Sequence, residues 1–276
     1  MSKMFKIITV LLLLFCLFGC NKKNSDLGEL KVTFLDVGQG DAILVECNGK
    51  NMLVDGGDIN NNLYLALQEK EINEFEYVFC THPHQDHIGG LVVVLESEEI
   101  NVNKFFCSSN TKDEGSSYLD FKKVVEKRNK EIIVPKKGDI YKLSNAEIEV
   151  LSVDAGINND SSIVLKITFG ETSLLLTGDI EETAINALMK DAEKIKSDVL
   201  KIPHHGAAKS SPMYFLDAVS PEYAIISVGA NNKYNHPSSA TTANLEKLGV
   251  ETFITSVNHT IECSSTNGKK IVCSPQ

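Results

Sequence analysis

The sequence predicts an α/β fold, specifically a four-layer αββα sandwich. Short apolar strand segments alternate with helical segments in both halves of the chain, which suits two sheets covered by helices. The length fits one α/β domain, with no internal repeat and no low-complexity segment. A histidine-rich run also sits directly between an apolar strand and a helix, where rigid elements hold polar groups over an open cleft.

The front of the chain stands apart from the fold. Lys3 and Lys6 precede an apolar run from Ile7 to Phe18, short for a membrane span and typical of a signal-peptide core. Leu17-Phe18-Gly19-Cys20 resembles a bacterial lipobox, which implies cleavage after residue 19 and lipidation of Cys20. An uncleaved anchor is the alternative, and both place the domain outside the cytoplasm. Residues 20–29 read as a polar tether and residues 30–276 as the domain.

Leu30 to Leu35, Ala42 to Cys47 and Met52 to Val54 read as successive strands separated by Gly and Asn. Leu63 to Leu67 is helical, Tyr77 to Cys80 is a buried strand, and Gly89-Gly90 opens a helix over Leu91 to Leu95. Further strand segments are Lys104 to Cys107, Glu131 to Val134, Ile140 to Leu143, Glu147 to Val153, Ser162 to Phe169 and Thr172 to Thr177. Ser116 to Lys130 is a charged amphipathic helix, and Glu181 to Lys190 is helical. Asp198 to Ile202, Tyr223 to Val228 and Glu251 to Thr255 are strands separated by helices near Ser211 to Ala218 and Ser238 to Leu248. His259 falls in an expected terminal strand and reads as structural.

Charge narrows the function. The formal net charge is −10, and removing a leader with two lysines and no acid leaves −12. Such a chain is not a general nucleic-acid binder, because that affinity comes from cations facing phosphate. Arg128 is its one arginine, so bidentate phosphate clamps are nearly unavailable. Beyond Cys16 and Cys20, five cysteines remain, an odd number that leaves at least one thiol free. Cys263 and Cys273 flank the turn signal Asn267-Gly268, compatible with a cross-hairpin disulfide. Cys80 reads as a small buried hydrophobe.

The chemistry concentrates in Thr81-His82-Pro83-His84-Gln85-Asp86-His87-Ile88-Gly89-Gly90. Three imidazoles and a carboxylate within six residues suit borderline divalent ions such as Zn²⁺, Mn²⁺ or Fe²⁺. A polar loop with idle histidines is the bland alternative, disfavoured because clustered His without a partner is costly.

The H-x-H-x-D-H spacing resembles the signature of the metallo-β-lactamase superfamily. Leu53-Val54-Asp55-Gly56-Gly57, Leu175-Leu176-Thr177-Gly178-Asp179 and Ile202-Pro203-His204-His205-Gly206 resemble its other motifs, in order, from about Lys31 to Asn258. The resemblance implies a metal-dependent hydrolase with one or two ions, Zn²⁺ or Mn²⁺, whose bound water supplies hydroxide near neutral pH. It implies that His82 and His84 hold the first ion, that Asp86 and His87 hold the second, and that Asp179 bridges them. His204 or His205 completes the second ion, with His204 favoured. Asp55 orients a ligand imidazole.

One departure matters. The superfamily usually supplies a third histidine to the first ion, yet none occurs between Ile88 and Pro203. Asn159 or Asp160, in Asn158-Asn159-Asp160-Ser161-Ser162, stands where it is expected, and oxygen donors shift preference toward Mn²⁺ or Mg²⁺. That stretch, with Asp36-Val37-Gly38-Gln39-Gly40-Asp41, Pro203-His204-His205-Gly206 and Asn235-His236-Pro237, resembles the nuclease-like domain of ComEC-type DNA-uptake channels and their stand-alone relatives. The glycine-rich segment is either a hairpin turn or a device packing Gln39 and Asp41 beside the metals. Asp86 and His236 are the candidate catalytic residues, with His236 a proton donor, a substrate contact or a plain turn residue. Ile254-Thr255-Ser256-Val257-Asn258-His259 replaces an arginine-containing run of that subfamily, which weakens the case for phosphate contact.

The expectation is a surface-tethered metal-dependent phosphodiesterase or nuclease, acting on nucleic acid or another phosphodiester and touching the membrane through its lipid. A hydrolase of a lactone, thioester or β-lactam, and a non-catalytic binding module of a DNA-uptake or envelope complex, are the alternatives.

Overall fold

The computed structural model describes residues 26–109 and 115–276. The leader, Cys20 and residues 20–25 lie outside the described residues. Among those described, no helix is long and apolar enough to cross a membrane.

Two sheets face each other. The first has eight strands in the order β15-β14-β1-β2-β3-β4-β5-β6. These are β1 (Glu29–Phe34), β2 (Ile43–Cys47), β3 (Lys50–Val54), β4 (Glu74–Cys80), β5 (Asn101–Cys107), β6 (Ile132–Ile133), β14 (Ile261–Thr266) and β15 (Ile271–Pro275). The second has seven, in the order β13-β12-β11-β10-β9-β8-β7. They are β7 (Ile140–Leu143), β8 (Ala146–Ser152), β9 (Val164–Phe169), β10 (Thr172–Leu176), β11 (Val199–Lys201), β12 (Tyr223–Ile226) and β13 (Glu251–Ile254).

Strands in both sheets bury both faces. Val32, Phe34, Phe79 and Phe106 of the first sheet pack between the sheets against Ile148, Leu165, Ile167 and Ile225 of the second. The opposite face of the first sheet packs on α1 (Asn62–Glu69), α2 (Gln85–Leu95) and α3 (Ser116–Lys127) through Leu63, Leu91 and Phe121. The outer face of the second packs on α4 (Glu182–Leu188), α5 (Ala192–Ile195), α6 (Met213–Val219) and α7 (Ser239–Leu248) through Ile185, Phe215 and Leu245. This is the expected αββα sandwich. Parallel pairings β3–β4 and β10–β11–β12 bring several strand C-termini to one edge, where the site lies.

The structure corrects four local expectations. β1 begins at Glu29, and Leu27 is already pinned: its N–H donates to Asn267 Oδ1 at 3.0 Å and its carbonyl accepts from Asn48 and Asn145. The end of the expected tether is therefore part of the domain. The helix after the histidine run starts at Gln85, so Asp86 and His87 ride on its first turn. Gly89 and Gly90 do not open it; a Cβ on Gly90 would collide with the Gly56 carbonyl, so they let α2 lie against the Gly56–Asp58 backbone. Ser162 precedes its strand, because residues 158–161 form a single 3₁₀ turn. His259 lies outside any strand, exposed, after α8 (Thr255–Asn258), in a left-handed conformation with φ 60° that ends the segment.

The cross-hairpin pairing that the sequence left open is present. Cys263 and Cys273 sit opposite each other on β14 and β15 and form a disulfide. Cys47, Cys80 and Cys107 are buried free thiols.

Arg128 is consumed by the fold. Its guanidinium and Nε donate to the carbonyls of Leu95, Ser97 and Ile100, satisfying the end of α2. α2 carries two site residues at its other end, so this cap helps hold them. Arg128→Met lowers global stability by about 2 kcal/mol, read by urea denaturation, because several charge-assisted bonds are lost at a part-buried site.

Candidate metal centre

The first sheet delivers its ligands from β3 and β4. Asp55, at φ 59°, turns its fully buried carboxylate under the histidine run. Its Oδ1 accepts from Thr81 N–H and its Oδ2 from Thr81 Oγ1, both at 2.7 Å. Oδ2 also meets His87 Nδ1 at 2.8 Å. That bond fixes the His87 tautomer and aims Nε2 inward. His82 is fully buried beside it, with Nε2 3.0 Å from His84 Nδ1.

The second sheet delivers Asp179 after β10 and His204-His205 after β11. Both histidines adopt left-handed backbone, φ 47° and 53°, and the kink sends their rings to different sides. His205 turns inward and is buried; its Nδ1 lies 2.8 Å from the Ser227 carbonyl and 3.4 Å from Asp41 Oδ1. Its Nε2 lies 3.3 Å from both Asp86 Oδ2 and Asp179 Oδ2. His204 is part-exposed, with Nδ1 3.0 Å from Glu181 Oε1 and Nε2 3.9 Å from Asp179.

His87 Nε2 is 3.2 Å from Asp179 Oδ2, so Asp179 faces imidazoles from both sheets. His87 Nε2, His205 Nε2 and Asp179 Oδ1 are buried and make no aligned hydrogen bond. Donor atoms of His82, His87 and Asp179 lie within 4.8 Å of one another, as do those of Asp86, His87 and His205. Convergent ring nitrogens and carboxylate oxygens that make no aligned hydrogen bond fit a divalent cation once the imidazoles give up their protons.

Charge explains how these groups share one dry edge. Burial would raise the Asp179 carboxyl, but His205 and His87 outweigh it and hold its pKa well below the usual range. Burial would lower His87, but Asp179 and Asp55 hold it well above the usual range; Asp179, Asp41 and Asp86 do the same to His205. His82 goes the other way: burial, then the field of His87, keeps it well below, which favours the neutral ring. For Asp55, burial prevails and raises its pKa.

Residues 35–230 match the family model of the metallo-beta-lactamase superfamily. The chain belongs to that superfamily. It is 30% identical over 283 residues to ComE operon protein 3 of Bacillus subtilis, covering 92% of this chain and 34% of that protein. To competence protein ComA of Neisseria gonorrhoeae it is 27% identical over 241 residues, covering 85% and 32%. To Recombination protein 2 of Haemophilus influenzae it is 30% identical over 216 residues, covering 75% and 25%. These are ComEC-type competence proteins, and the chain spans about a third or less of their length. The metallo-beta-lactamase fold protein YhfI of Bacillus subtilis shares the fold, with TM-score 0.57 and 13% identity over 88% of this chain and 99% of that one. So does a diphosphatase of the PhnP family, with TM-score 0.51 and 16% identity over 86% and 99%.

Within this superfamily architecture, the structure places the expected residues unequally. His82, Asp86, His87 and Asp179 converge, with His84 against His82. His205, rather than the favoured His204, is the imidazole that joins Asp86 and Asp179, because only its ring turns into the buried edge. Asp160 stands apart from the metal ligands. Its two oxygens accept backbone N–H groups of Glu181, Thr183 and Ala184, capping α4 beside the Asp179 loop. Asn159 donates to Glu181 and sits 3.3 Å from His204 Nδ1, while its Oδ1 is buried without a hydrogen-bond partner. Gln39 bridges Asp86 Oδ2, at 3.2 Å, and the Gly229 N–H, at 3.3 Å, so the glycine-rich turn does reach the site. His236 stands behind His204 at a ring separation of 5.7 Å.

Sequence reasoning missed Lys201. Fully buried, it places Nζ 2.8 Å from Asp41 Oδ2 and 2.8 Å from the Ile202 carbonyl, one contact away from His205. Its position two residues before Pro203 was the available signal, but strand alternation alone does not say which side its ammonium takes. Lys201→Met takes the ammonium from Asp41, leaving its buried carboxylate only the 3.4 Å contact with His205, and costs about 3–5 kcal/mol in chemical denaturation; adding Asp41→Asn recovers most of the loss.

A divalent ion entering this centre must displace the protons that His87 and His205 hold. Apparent Zn²⁺ or Mn²⁺ affinity therefore falls as pH drops through the raised titration range of these two imidazoles, above the ordinary histidine range, and binding near neutral pH releases roughly one to two protons, read by calorimetry in buffers of different ionisation enthalpy.

Proposed function

We propose that this chain is a surface-tethered, metal-dependent phosphodiesterase acting on nucleic acid, anchored outside the cytoplasm by a lipid on Cys20. The observation that carries the reading is the set of buried, unpartnered donor atoms at the meeting of the two sheets, next to an open groove containing Asp86. The likeness to ComEC-type competence proteins, one of them named a recombination protein, directs the reading toward DNA.

Asp86, His87, His205 and Asp179 would hold one ion tightly. His82, His84 and Asp179, lacking a third histidine, would hold a second more weakly. A bound Zn²⁺ or Mn²⁺ ion supplies polarisation of a phosphoryl oxygen and a lowered pKa for a water. The protein supplies position. Asp55 and the Ser227 carbonyl lock two imidazole tautomers, and Gln39 holds Asp86 at the groove floor. Burial, then His204 and His205, lower the His236 pKa, so this ring is neutral near pH 7. Of the roles the sequence left open, that suits it to hydrogen-bond substrate or accept a proton more than to be a standing proton donor.

The test uses the full chain in detergent with labelled single- and double-stranded DNA and Mn²⁺, Mg²⁺ or Zn²⁺ supplied separately. Metal-dependent cleavage is expected, and Asp86→Ala with His87→Ala removes at least about 100-fold of it, since even outer partners of metal ligands are worth 10- to 100-fold. No cleavage by folded, metal-loaded protein contradicts the proposal.

A further inference from the structure

Beside the metal centre lies a groove of about 890 Å³, the size of a site for a small organic ligand. Gln39 and Asp86 line its inner part, and Asn232, Lys233 and Tyr234 line its rim. Tyr234 is 53% exposed, high for so large a ring inside a concave site. Its ring stacks on His236 at 5.8 Å and 19°, and His236 in turn faces His204 at 5.7 Å. A run of rings therefore leads from the rim to His204, at the margin of the metal centre. Lys233 Nζ lies 5.0 Å from the centre of the Tyr234 ring.

The rim is held in place. Asn232 Oδ1 accepts the backbone N–H groups of Tyr234 and His236, at 3.2 and 2.9 Å. Its Nδ2 donates to the carbonyls of Gly229 and His236, at 3.1 and 2.7 Å. Four bonds from one side chain fix the loop, so the aromatic face is presented without an ordering cost at binding.

We infer that Tyr234 is a base-stacking platform and Lys233 its phosphate contact, so that the groove selects unpaired over paired nucleic acid. The inference rests on the phosphodiesterase reading and names what that site grips. The groove's charge supports it. Asp36, Asp58 and Asp86 line the groove against the single cationic side chain of Lys233. A duplex brings one negative charge per about 1.7 Å of axis and needs many cations, which this groove does not offer. An unpaired strand offers base faces, and stacking on an aromatic ring is tolerant of sequence and of a poorly cationic groove. The flexible lysine stem allows Nζ to leave the ring for a phosphate as a base takes its place.

The experiment measures binding alone. The full chain in detergent, with chelator to prevent cleavage, is titrated into three labelled probes: a ten-nucleotide oligothymidylate, an abasic backbone of equal length, and a hairpin duplex. The wild type binds the oligothymidylate more tightly than either other probe. Tyr234→Ala weakens oligothymidylate binding about 5- to 100-fold and leaves the abasic backbone unchanged, whereas Tyr234→Phe retains binding. Lys233→Ala reduces the log–log salt slope by about 0.7, one phosphate's share on a single strand. No binding of the oligothymidylate, equal binding by Tyr234→Ala, or preference for the duplex overturns the inference. Because no turnover is read, absence of cleavage with any ion would sink the phosphodiesterase reading while leaving a positive binding result intact. Cleavage with unchanged KM in Tyr234→Ala would do the reverse.

Discussion

The centre depends on one constraint: carboxylates and imidazoles from two sheets share a dry edge and must neutralise one another there. Asp179, from the second sheet, meets His87 from the first and His205 from its own. An isolated buried charge would shift its pKa and neutralise, or open the fold to water. Instead each carboxylate has an imidazole or an ammonium within ion-pair distance, and Lys201 extends the pattern inward to Asp41. Yet His87 Nε2, His205 Nε2 and Asp179 Oδ1 are left buried without an aligned hydrogen bond. Those convergent donor atoms make it a cation site and not merely a buried salt bridge.

Backbone geometry serves the same end. Asp55, His204 and His205 hold positive φ at the ends of β3 and β11, a conformation non-glycine residues adopt at a cost of about 1–3 kcal/mol. Such strain persists where surrounding structure over-determines it. Here Thr81 and His87 grip Asp55, while the Ser227 carbonyl and the Gly178 carbonyl grip the His204-His205 turn. Loop backbone joins the halves where the Thr81 carbonyl accepts from Ile163 N–H, and within the first half the Asp86 carbonyl accepts from Asp41 N–H. The ligands are thus placed by hydrogen bonds that cross between elements distant in sequence.

Much of this was legible from the chain alone, and the reasons are local. His82, His84, Asp86 and His87 crowd one strand end, and Asp55 and Asp179 each follow an apolar strand, so order along the chain becomes proximity in space. The four-layer sandwich followed from alternating strands and helices. What stayed hidden depends on direction. Two adjacent histidines look alike in sequence, and only the left-handed turn decides that His205 enters while His204 leaves. Asp160 in an Asn-Asp-Ser-Ser stretch reads equally as ligand or as helix cap, and its contacts decide for the cap. Lys201 reads as an ordinary strand residue until its neighbours from the glycine-rich turn are in place.

The disulfide has a consequence at the sheet margin. β15 is the outermost strand of the eight-stranded sheet, and its free side is a row of unpaired backbone donors and acceptors. Such a margin invites a foreign strand to add itself. Cys273 ties β15 to Cys263 on its neighbour β14, so the terminal ribbon cannot peel away and exchange partners. At the opposite margin β6 is only two residues long. One border of this sheet is thus tied to its neighbour and the other cut short, so neither can lengthen its exposed margin by fraying.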